Sequence, residues 1–292
     1  MFKGSIVALV TPMARDGALD QSAFGALLDR HLTHGTDGLV IGGTTGESPT
    51  LAGEELELLL RDARRIVHDR MPIIAGTGTY NTGTSIALTQ RACAAGADAC
   101  LVVTPYYNKP TQAGLMAHFR AVADAATRPV LLYNVPSRTA CDLLPETVAR
   151  LAEHPRIAGI KEGHASGATR VAQLRATCGA SFAILSGDDA TALDFLVAGG
   201  DGVISVTANV APREMHEVTA LARAGDEAGA RRVDARLRAL HDALFVESNP
   251  IPVKWALTEL GFIQPGIRLP LTPLSERHHA TVRRALETAA LQ

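Results

Sequence analysis

Eight short apolar runs, each followed by a stretch of helical periodicity, constrain this chain more than any other feature. The runs cover 5–10, 38–41, 72–75, 99–103, 129–132, 157–160, 182–185 and 202–206. Behind them come amphipathic stretches at about 20–34, 52–69, 82–95, 112–126, 145–153, 168–177, 190–198 and 212–223. Asp20 stands where it can cap the first helix. Runs this short and this rich in branched apolar residues suit strands buried on both faces. Eight βα units fit a closed parallel barrel better than an open sheet, so the expected fold is an α/β, (β/α)8 TIM barrel. An open doubly wound sheet would want a glycine fingerprint after its first strand. The only candidate, Gly76-Thr77-Gly78-Thr79-Tyr80-Asn81, follows the third run and lacks the last glycine.

Beyond the eighth unit the pattern is helical only: a long Ala/Arg/Leu-rich helix, then 252–261 and 275–291. The expected division is a catalytic barrel over 1–223 and a C-terminal helical domain over 224–292, packed on the barrel. A chain of 292 residues, 47% hydrophobic, can bury a core of that size.

Charge and cysteine usage narrow the function. A formal net charge of −2, with Lys and Arg scattered, leaves no basic footprint for nucleic acid. No apolar stretch approaches the 18 or so residues that span a membrane, and Met1-Phe2-Lys3-Gly4-Ser5 runs into the first strand without a signal-peptide core. Cys93, Cys100, Cys141 and Cys178 show no CxxC spacing and no nearby histidine pattern. They read as reduced, mostly buried thiols of a cytoplasmic protein, with no metal site.

In such a barrel the chemistry gathers at the C-terminal strand ends. Read there, the chain offers Thr11-Pro12, then Gly42-Gly43-Thr44-Thr45-Gly46-Glu47-Ser48, then Gly76-Thr77-Gly78 and Thr104-Pro105-Tyr106-Tyr107-Asn108. Strand five ends in Tyr133-Asn134-Val135-Pro136-Ser137-Arg138, strand six in Lys161, strand seven in Ser186-Gly187-Asp188-Asp189, strand eight in Ser205 and Thr207. Burial disfavours an ammonium, so a lysine carried into a barrel mouth can fall from about 10.4 toward neutrality. The neutral amine attacks carbonyls, which is Schiff-base chemistry. Against this stands a lysine that snorkels to water or pairs with a carboxylate. Three of the four tyrosines lie at two adjacent strand ends. Their hydroxyls, with those of threonines, can relay protons; the competing reading is interface tyrosines. The Gly42–Glu47 loop can present consecutive N–H groups to an anion, a carboxylate rather than a phosphate because no Gly-Lys-Ser/Thr follows. Arg138 offers a planar fork to a second carboxylate, or else a loop salt bridge with Glu146 or Asp142. Asp188 and Asp189 look equally like helix caps, His118 and His164 are isolated, and strand alternation turns Glu162 away from the interior.

Taken together these segments resemble the dihydrodipicolinate synthase family, within the N-acetylneuraminate lyase superfamily of pyruvate-dependent class I aldolases. The likeness runs the whole length, through Gly42-Gly43-Thr44-Thr45-Gly46-Glu47-Ser48, Val103-Thr104-Pro105-Tyr106-Tyr107-Asn108, Leu132-Tyr133-Asn134-Val135-Pro136-Ser137-Arg138-Thr139 and Gly159-Ile160-Lys161-Glu162. It closes with Leu185-Ser186-Gly187-Asp188-Asp189 and Glu247-Ser248-Asn249-Pro250-Ile251-Pro252-Val253-Lys254-Trp255. The resemblance implies a lyase of lysine and diaminopimelate biosynthesis that condenses pyruvate with L-aspartate 4-semialdehyde. Lys161 would carry the imine, and no other cofactor would be needed. Tyr133 would be the acid/base, linked through Thr44 to a Tyr107 that reaches the neighbouring subunit's site. Thr45 would bind the pyruvate carboxylate and Arg138 that of the semialdehyde. Gly187 and the main chain at Ile204 complete the substrate-binding set. The assembly implied is a homotetramer, a dimer of tight dimers.

Two departures from the family pattern matter. Gly163-His164-Ala165-Ser166 follows the lysine where relatives often have Ala or Ser and then Thr, beside the second-substrate space. The lysine-feedback site of inhibited relatives uses histidine, asparagine and glutamate side chains, where this chain has Gly53, Leu56, Tyr80 and Thr84 beside Ser48 and Tyr106. Feedback is therefore expected to be weak or absent. Two other readings stay open: a sister aldolase acting on a sugar acid such as N-acetylneuraminate or a 2-keto-3-deoxy acid, and a catalytically silent barrel.

Overall fold

The structure, a computed structural model, describes residues 2–290. Its strands are β1 (Gly4–Ala8), β2 (Gly38–Ile41), β3 (Ile73–Gly76), β4 (Ala99–Val103), β5 (Val130–Asn134), β6 (Ile157–Glu162), β7 (Ala183–Ser186) and β8 (Gly202–Ser205). They pair in parallel in chain order, and β8 pairs back onto β1 to close the barrel. Around it run α1 (Gln21–Thr33), α2 (Gly53–Val67), α3 (Thr82–Ala94), α4 (Gln112–Ala125), α5 (Pro136–Thr139), α6 (Pro145–Ala152), α7 (Gly167–Cys178), α8 (Ala192–Val197) and α9 (Pro212–Arg223). Asp20 caps α1 as expected, its carboxylate accepting the Ala23 N–H at 2.9 Å. The single turn α5 falls where the pattern reads a loop, because four residues are too few to show a helical period.

Alternation along the strands sorts side chains into two layers. Leu131 and Tyr133 of β5 turn into the barrel with Ile6, Val40, Ile74, Leu101, Leu185 and Ile204. Val130 and Leu132 turn outward and pack with Phe119, Leu151, Leu174 and Phe195 under the helices. On β6 the outward positions are Ile160, in that same outer cluster, and Glu162; Lys161 between them faces inward.

The remaining helices are α10 (Glu227–Ala243), α11 (Ile251–Glu259) and α12 (Glu276–Ala289); position 291, where the last helix was expected to end, lies outside the described residues. Helix α10 lies on α9 and α8, and α12 on α10 and α11. Val233, Leu237 and Leu240 of α10 and Val282 of α12 share one apolar core with Val7, Leu39 and Ile73. All four cysteines are free thiols; Cys100 is buried, the other three half-buried. Among the described residues no helix is long and apolar enough to cross a membrane.

Candidate active site

Register decides the centre of the site. Tyr133 of β5 and Lys161 of β6 are cross-strand partners at the last turn of the barrel wall. Both side chains point inward, and the Lys161 ammonium lies 4.4 Å from the Tyr133 ring centroid. Lys161 is 6% exposed, which rules out a snorkelling side chain. Among the described residues no carboxylate lies within ion-pair distance of Lys161, nor does any protein group hydrogen-bond it or the Tyr133 hydroxyl. The face of the tyrosine ring is its only polar neighbour of that kind. An amine so enclosed, with no charge partner, is suited to attack a carbonyl placed against it.

The loop after β2 forms the rim beside it. Gly76, at the end of β3, has no room for a side chain: a Cβ there would sit 2.2 Å from the Gly42 carbonyl oxygen. That close approach presses the Gly42-Gly43 backbone onto the barrel mouth. Beyond it the chain folds into a compact turn, Glu47 N–H donating to Thr44 O at 3.1 Å and Ser48 N–H to Gly43 O at 3.1 Å. Neither the Thr44 nor the Thr45 N–H donates to a protein acceptor among the described residues, so both remain available to an anion.

A cleft of about 770 Å³ opens at these strand ends, and Lys161 is not among its lining residues. Thr44, Val135, Arg138 and Thr139 line its inner end, and Ser48, Gly53, Leu56, Tyr80, Thr84 and Tyr106 its outer end. Arg138 stands on α5, reaches the Asn249 carbonyl at 3.5 Å, and makes no ion pair with Glu146 or Asp142; Asp142 instead pairs with Arg170. Tyr107 takes no part in this constellation within one chain. It is 89% exposed, in a left-handed conformation with φ of 71°, and is not among the residues lining the cleft that Thr44 lines.

Comparison with known proteins bears directly on this geometry. The family model for the dihydrodipicolinate synthetase family matches residues 1–289. The chain belongs to that family. The 4-hydroxy-tetrahydrodipicolinate synthase of Methylococcus capsulatus is 56% identical over 291 residues, covering all of both chains. That of Nitrosomonas eutropha is 55% identical, over all of this chain and 99% of its own. Among solved structures, the pyruvate complex of the chloride-inhibited dihydrodipicolinate synthase from Acinetobacter baumannii superimposes with a TM-score of 0.97 at 49% identity, over the full length of both chains. The dihydrodipicolinate synthetase family thus frames both what strand-end reading reached and what it missed.

Of the weaker candidates, Asp188 accepts from the Thr191 N–H and hydroxyl and so serves the start of α8. Asp189 ties β7 to the β8 loop by accepting the N–H groups of Val206 and Thr207 at 2.8 and 2.9 Å. His118 is buried on α4 against Thr82, and burial holds it down at about 4. His164 faces its own loop, accepting from the Ser166 N–H. Gly187 donates its N–H to the Glu162 carbonyl at 2.7 Å and sits too close to Gly163 for a larger residue to fit easily.

Glu162 does point out of the barrel, but into protein rather than water. Its carboxylate accepts from Asn134 Nδ2 at 3.0 Å and the His164 N–H at 2.8 Å, with Arg170 at 3.7 Å. Burial pushes its carboxyl up to about 7, against the opposing pull of Arg170 and those hydrogen bonds. Strand alternation sets its direction; the closed layer of α7 behind it has no local sequence signature. A second group missed by strand-end reading comes from the C-terminal segment. Asn249 donates from Nδ2 to Thr45 Oγ1 at 2.9 Å, and Lys254 forms a buried ion pair with Glu47. Both lie in the Glu247–Trp255 stretch quoted for the family likeness, outside the eight βα units.

Proposed function

We propose that this chain is a 4-hydroxy-tetrahydrodipicolinate synthase that joins pyruvate to L-aspartate 4-semialdehyde on Lys161. The observation that carries the residue assignment is the in-register Tyr133–Lys161 pair, enclosed at the barrel mouth with no carboxylate neighbour. The Lys161 amine adds to C2 of pyruvate and water leaves, giving an iminium. That cation acidifies the C3 methyl group, which loses a proton to become an enamine. The enamine carbon attacks the aldehyde carbon, and the resulting alkoxide takes up a proton. The acceptor's amine then closes the ring on C2 and expels Lys161 as the free amine. The imine is itself the electron sink, so the reading requires no further cofactor.

The proton steps are assigned to a proposed hydroxyl relay in which Tyr133 acts as acid/base, Thr44 is the link, and Tyr107 of the partner subunit opens to solvent. The exposed, strained Tyr107 supports a homodimer as the least active unit, and the proposed assembly is a homotetramer of two such dimers in the cytoplasm. Thr45 and the two unpaired N–H groups receive the pyruvate carboxylate, Arg138 the semialdehyde carboxylate, and Gly187 with the Ile204 main chain borders the bound substrates. A sugar-acid aldolase keeps the lysine and tyrosine but has less use for Arg138 beside Thr44.

Borohydride trapping with pyruvate, read by intact mass and peptide mapping, tests the proposal. A pyruvate-sized adduct on Lys161 that is consumed by aspartate semialdehyde supports it. An adduct consumed only by a sugar aldehyde moves the assignment to a sister aldolase, and no adduct refutes the lysine. Among the residues lining the outer cleft there is no Asp or Glu to receive an ammonium. The space a side chain at Gly53 would need is taken by Arg91, whose Nη1 lies 2.7 Å from the Cβ position. L-lysine at millimolar concentration is therefore expected to leave the steady-state rate unchanged; clear inhibition would show a second cation site.

A further inference from the structure

The loop that offers its N–H groups to a carboxylate is not held in shape by the barrel alone. Glu47, at its end, is 2% exposed and adopts a left-handed φ of 60°, a conformation that non-glycine residues keep only when their surroundings enforce it. The enforcing groups come from more than 200 residues along the chain. Lys254 of α11, 4% exposed, pairs its Nζ with Glu47 Oε1 and donates to the Thr11 carbonyl at 3.0 Å. Glu47 Oε2 accepts the Arg268 N–H at 3.0 Å. Thr11 Oγ1 donates to the Gly46 carbonyl at 2.8 Å, closing the circuit between the end of β1 and the loop. Alongside, the Asn249 amide donates to Thr45 Oγ1, so the Thr45 hydroxyl keeps its own proton to give elsewhere.

We propose that Glu47 and Lys254 are positioning residues of the carboxylate pocket: a buried ion pair through which the C-terminal segment fixes the turn that aims the Thr44 and Thr45 N–H groups and the Thr45 hydroxyl at the substrate's carboxylate. This rests on the Schiff-base reading above. It assigns the C-terminal helices a part in recognition, not only in packing. Two buried charges are costly unless each is fully paired, and both oxygens of Glu47 and two donors of Lys254 are engaged across three chain segments. Neither residue touches the space beside Lys161, so the pair acts on how tightly the carboxylate is held and leaves the chemistry at Lys161 intact.

The test compares the full-length protein with Lys254→Met, Lys254→Arg and Glu47→Gln. Steady-state kinetics in pyruvate are run beside reductive trapping of Lys161 with pyruvate and with acetone, a methyl ketone that lacks the carboxylate. Lys254→Met is expected to raise KM for pyruvate about tenfold while kcat stays within about threefold. Its preference for trapping pyruvate over acetone should fall by a similar factor, with acetone trapping unchanged. Lys254→Arg, which restores the charge, should recover most of the loss. Glu47→Gln keeps the shape of the turn and should show the same split with a smaller shift, so the test stands even where Lys254→Met fails to fold. An unchanged KM in the folded variants overturns the proposal. So does a fall in acetone trapping parallel to that in pyruvate, because the damage then lies at Lys161. Absence of a pyruvate adduct in the unsubstituted protein is a separate outcome that removes the Schiff-base reading itself.

Discussion

The two ends of the barrel treat their polar groups in different ways. At the N-terminal ends of the strands, Asp37, Asp98 and Asp201 each stand one residue before a strand and accept a backbone N–H from the preceding one. The donors are Ser5, Ile73 and Ile184, each at 2.8 Å. Each carboxylate also meets a basic side chain: His216 at 3.1 Å, Arg64 at 2.5 Å, and Arg175. In each site the N–H, the carboxylate and the basic side chain are paired with one another; the Ser5 hydroxyl alone among the side chains named here has no partner among the described residues. At the C-terminal ends, Lys161, the Tyr133 hydroxyl and the Thr44 and Thr45 N–H groups have none within the chain among the described residues. A buried polar group left unpaired costs more than a paired one returns, so the fold spends stability at one rim and recovers it at the other. The C-terminal rim carries both kinds of group: Glu47, Lys254 and Asp189 are paired and hold the loops, while the unpaired ones are those that the proposed function assigns to substrate.

The largest effect should come from the unpaired rim. Lys161→Ala removes the proposed nucleophile and is expected to lower kcat by about 10³-fold or more, with loss of the borohydride adduct. Its thermal stability should change little, since no hydrogen bond or ion pair within the chain is lost and only the contact with the Tyr133 ring is given up. A variant that unfolds more easily would mean Lys161 also serves the fold. Tyr133→Phe keeps the ring against Lys161 and removes only the hydroxyl. It should cost about 10² to 10³ in kcat, the range of a general acid/base. Exchange of the pyruvate methyl protons with deuterated solvent should slow by the same factor.

How far the sequence discloses this contrast follows from what each part depends on. Period-2 and period-3.6 patterns report local burial, so eight βα units, the place of Lys161 and the capping role of Asp20 are readable from one chain. Reading the residue after each apolar run also reaches Tyr133, Thr44, Thr45 and Arg138, because strand ends converge wherever a parallel barrel closes. Asn249, Lys254 and Arg268 escape that reading. They come from helices and loops whose docking on the barrel is fixed by packing, and no period in 224–292 states which strand end they will meet. The three Asp sites escape it for the same reason: Asp37, Asp98 and Asp201 look like ordinary loop residues until the register sets them beside Ser5, Ile73 and Ile184.

Glu162 sits between the two regimes and sharpens the contrast. It adjoins Lys161 in sequence, yet belongs to the outer layer, where Asn134, the His164 N–H and Arg170 pair with it incompletely. Oε2 has no hydrogen-bond partner among the described residues. With its carboxyl raised to about 7 in the folded protein and nearer 4.3 unfolded, the folded state binds the extra proton between these values. Its stabilising contribution is therefore complete below about pH 4 and is lost as pH rises toward 7, a change of about 4 kcal/mol. Glu162→Gln, neutral at every pH, should flatten that part of the stability–pH curve and melt later than the unsubstituted protein at pH 8. A variant whose denaturation midpoint still falls between pH 5 and 7 by the full amount would place the titration elsewhere.

The smallest effect should come from the paired rim, and it is the one that tests the comparison rather than the site. Asp201→Ala strips the acceptor from the Ile184 N–H and the charge from Arg175 at once, at the far end of the strands from Lys161. The orphaned, half-buried N–H should cost about 1–3 kcal/mol of stability, read from urea denaturation. Asp201→Asn keeps an acceptor for Ile184 and loses only the charge, in a site open enough to water that the ion pair adds about 1 kcal/mol or less. Asp201 shares no hydrogen-bond or ion-pair partner with Tyr133 or Lys161, and the barrel interior of Ile6, Val40, Ile74, Leu101 and Leu185 lies between the two rims, so the two sites should act independently. KM and kcat should stay within about twofold in both variants at a temperature where they remain folded. A fall in kcat that follows the loss of stability would mean that the barrel transmits strain from one rim to the other. The division between a stabilising end and a reactive end would then describe where the residues lie, but not how they act.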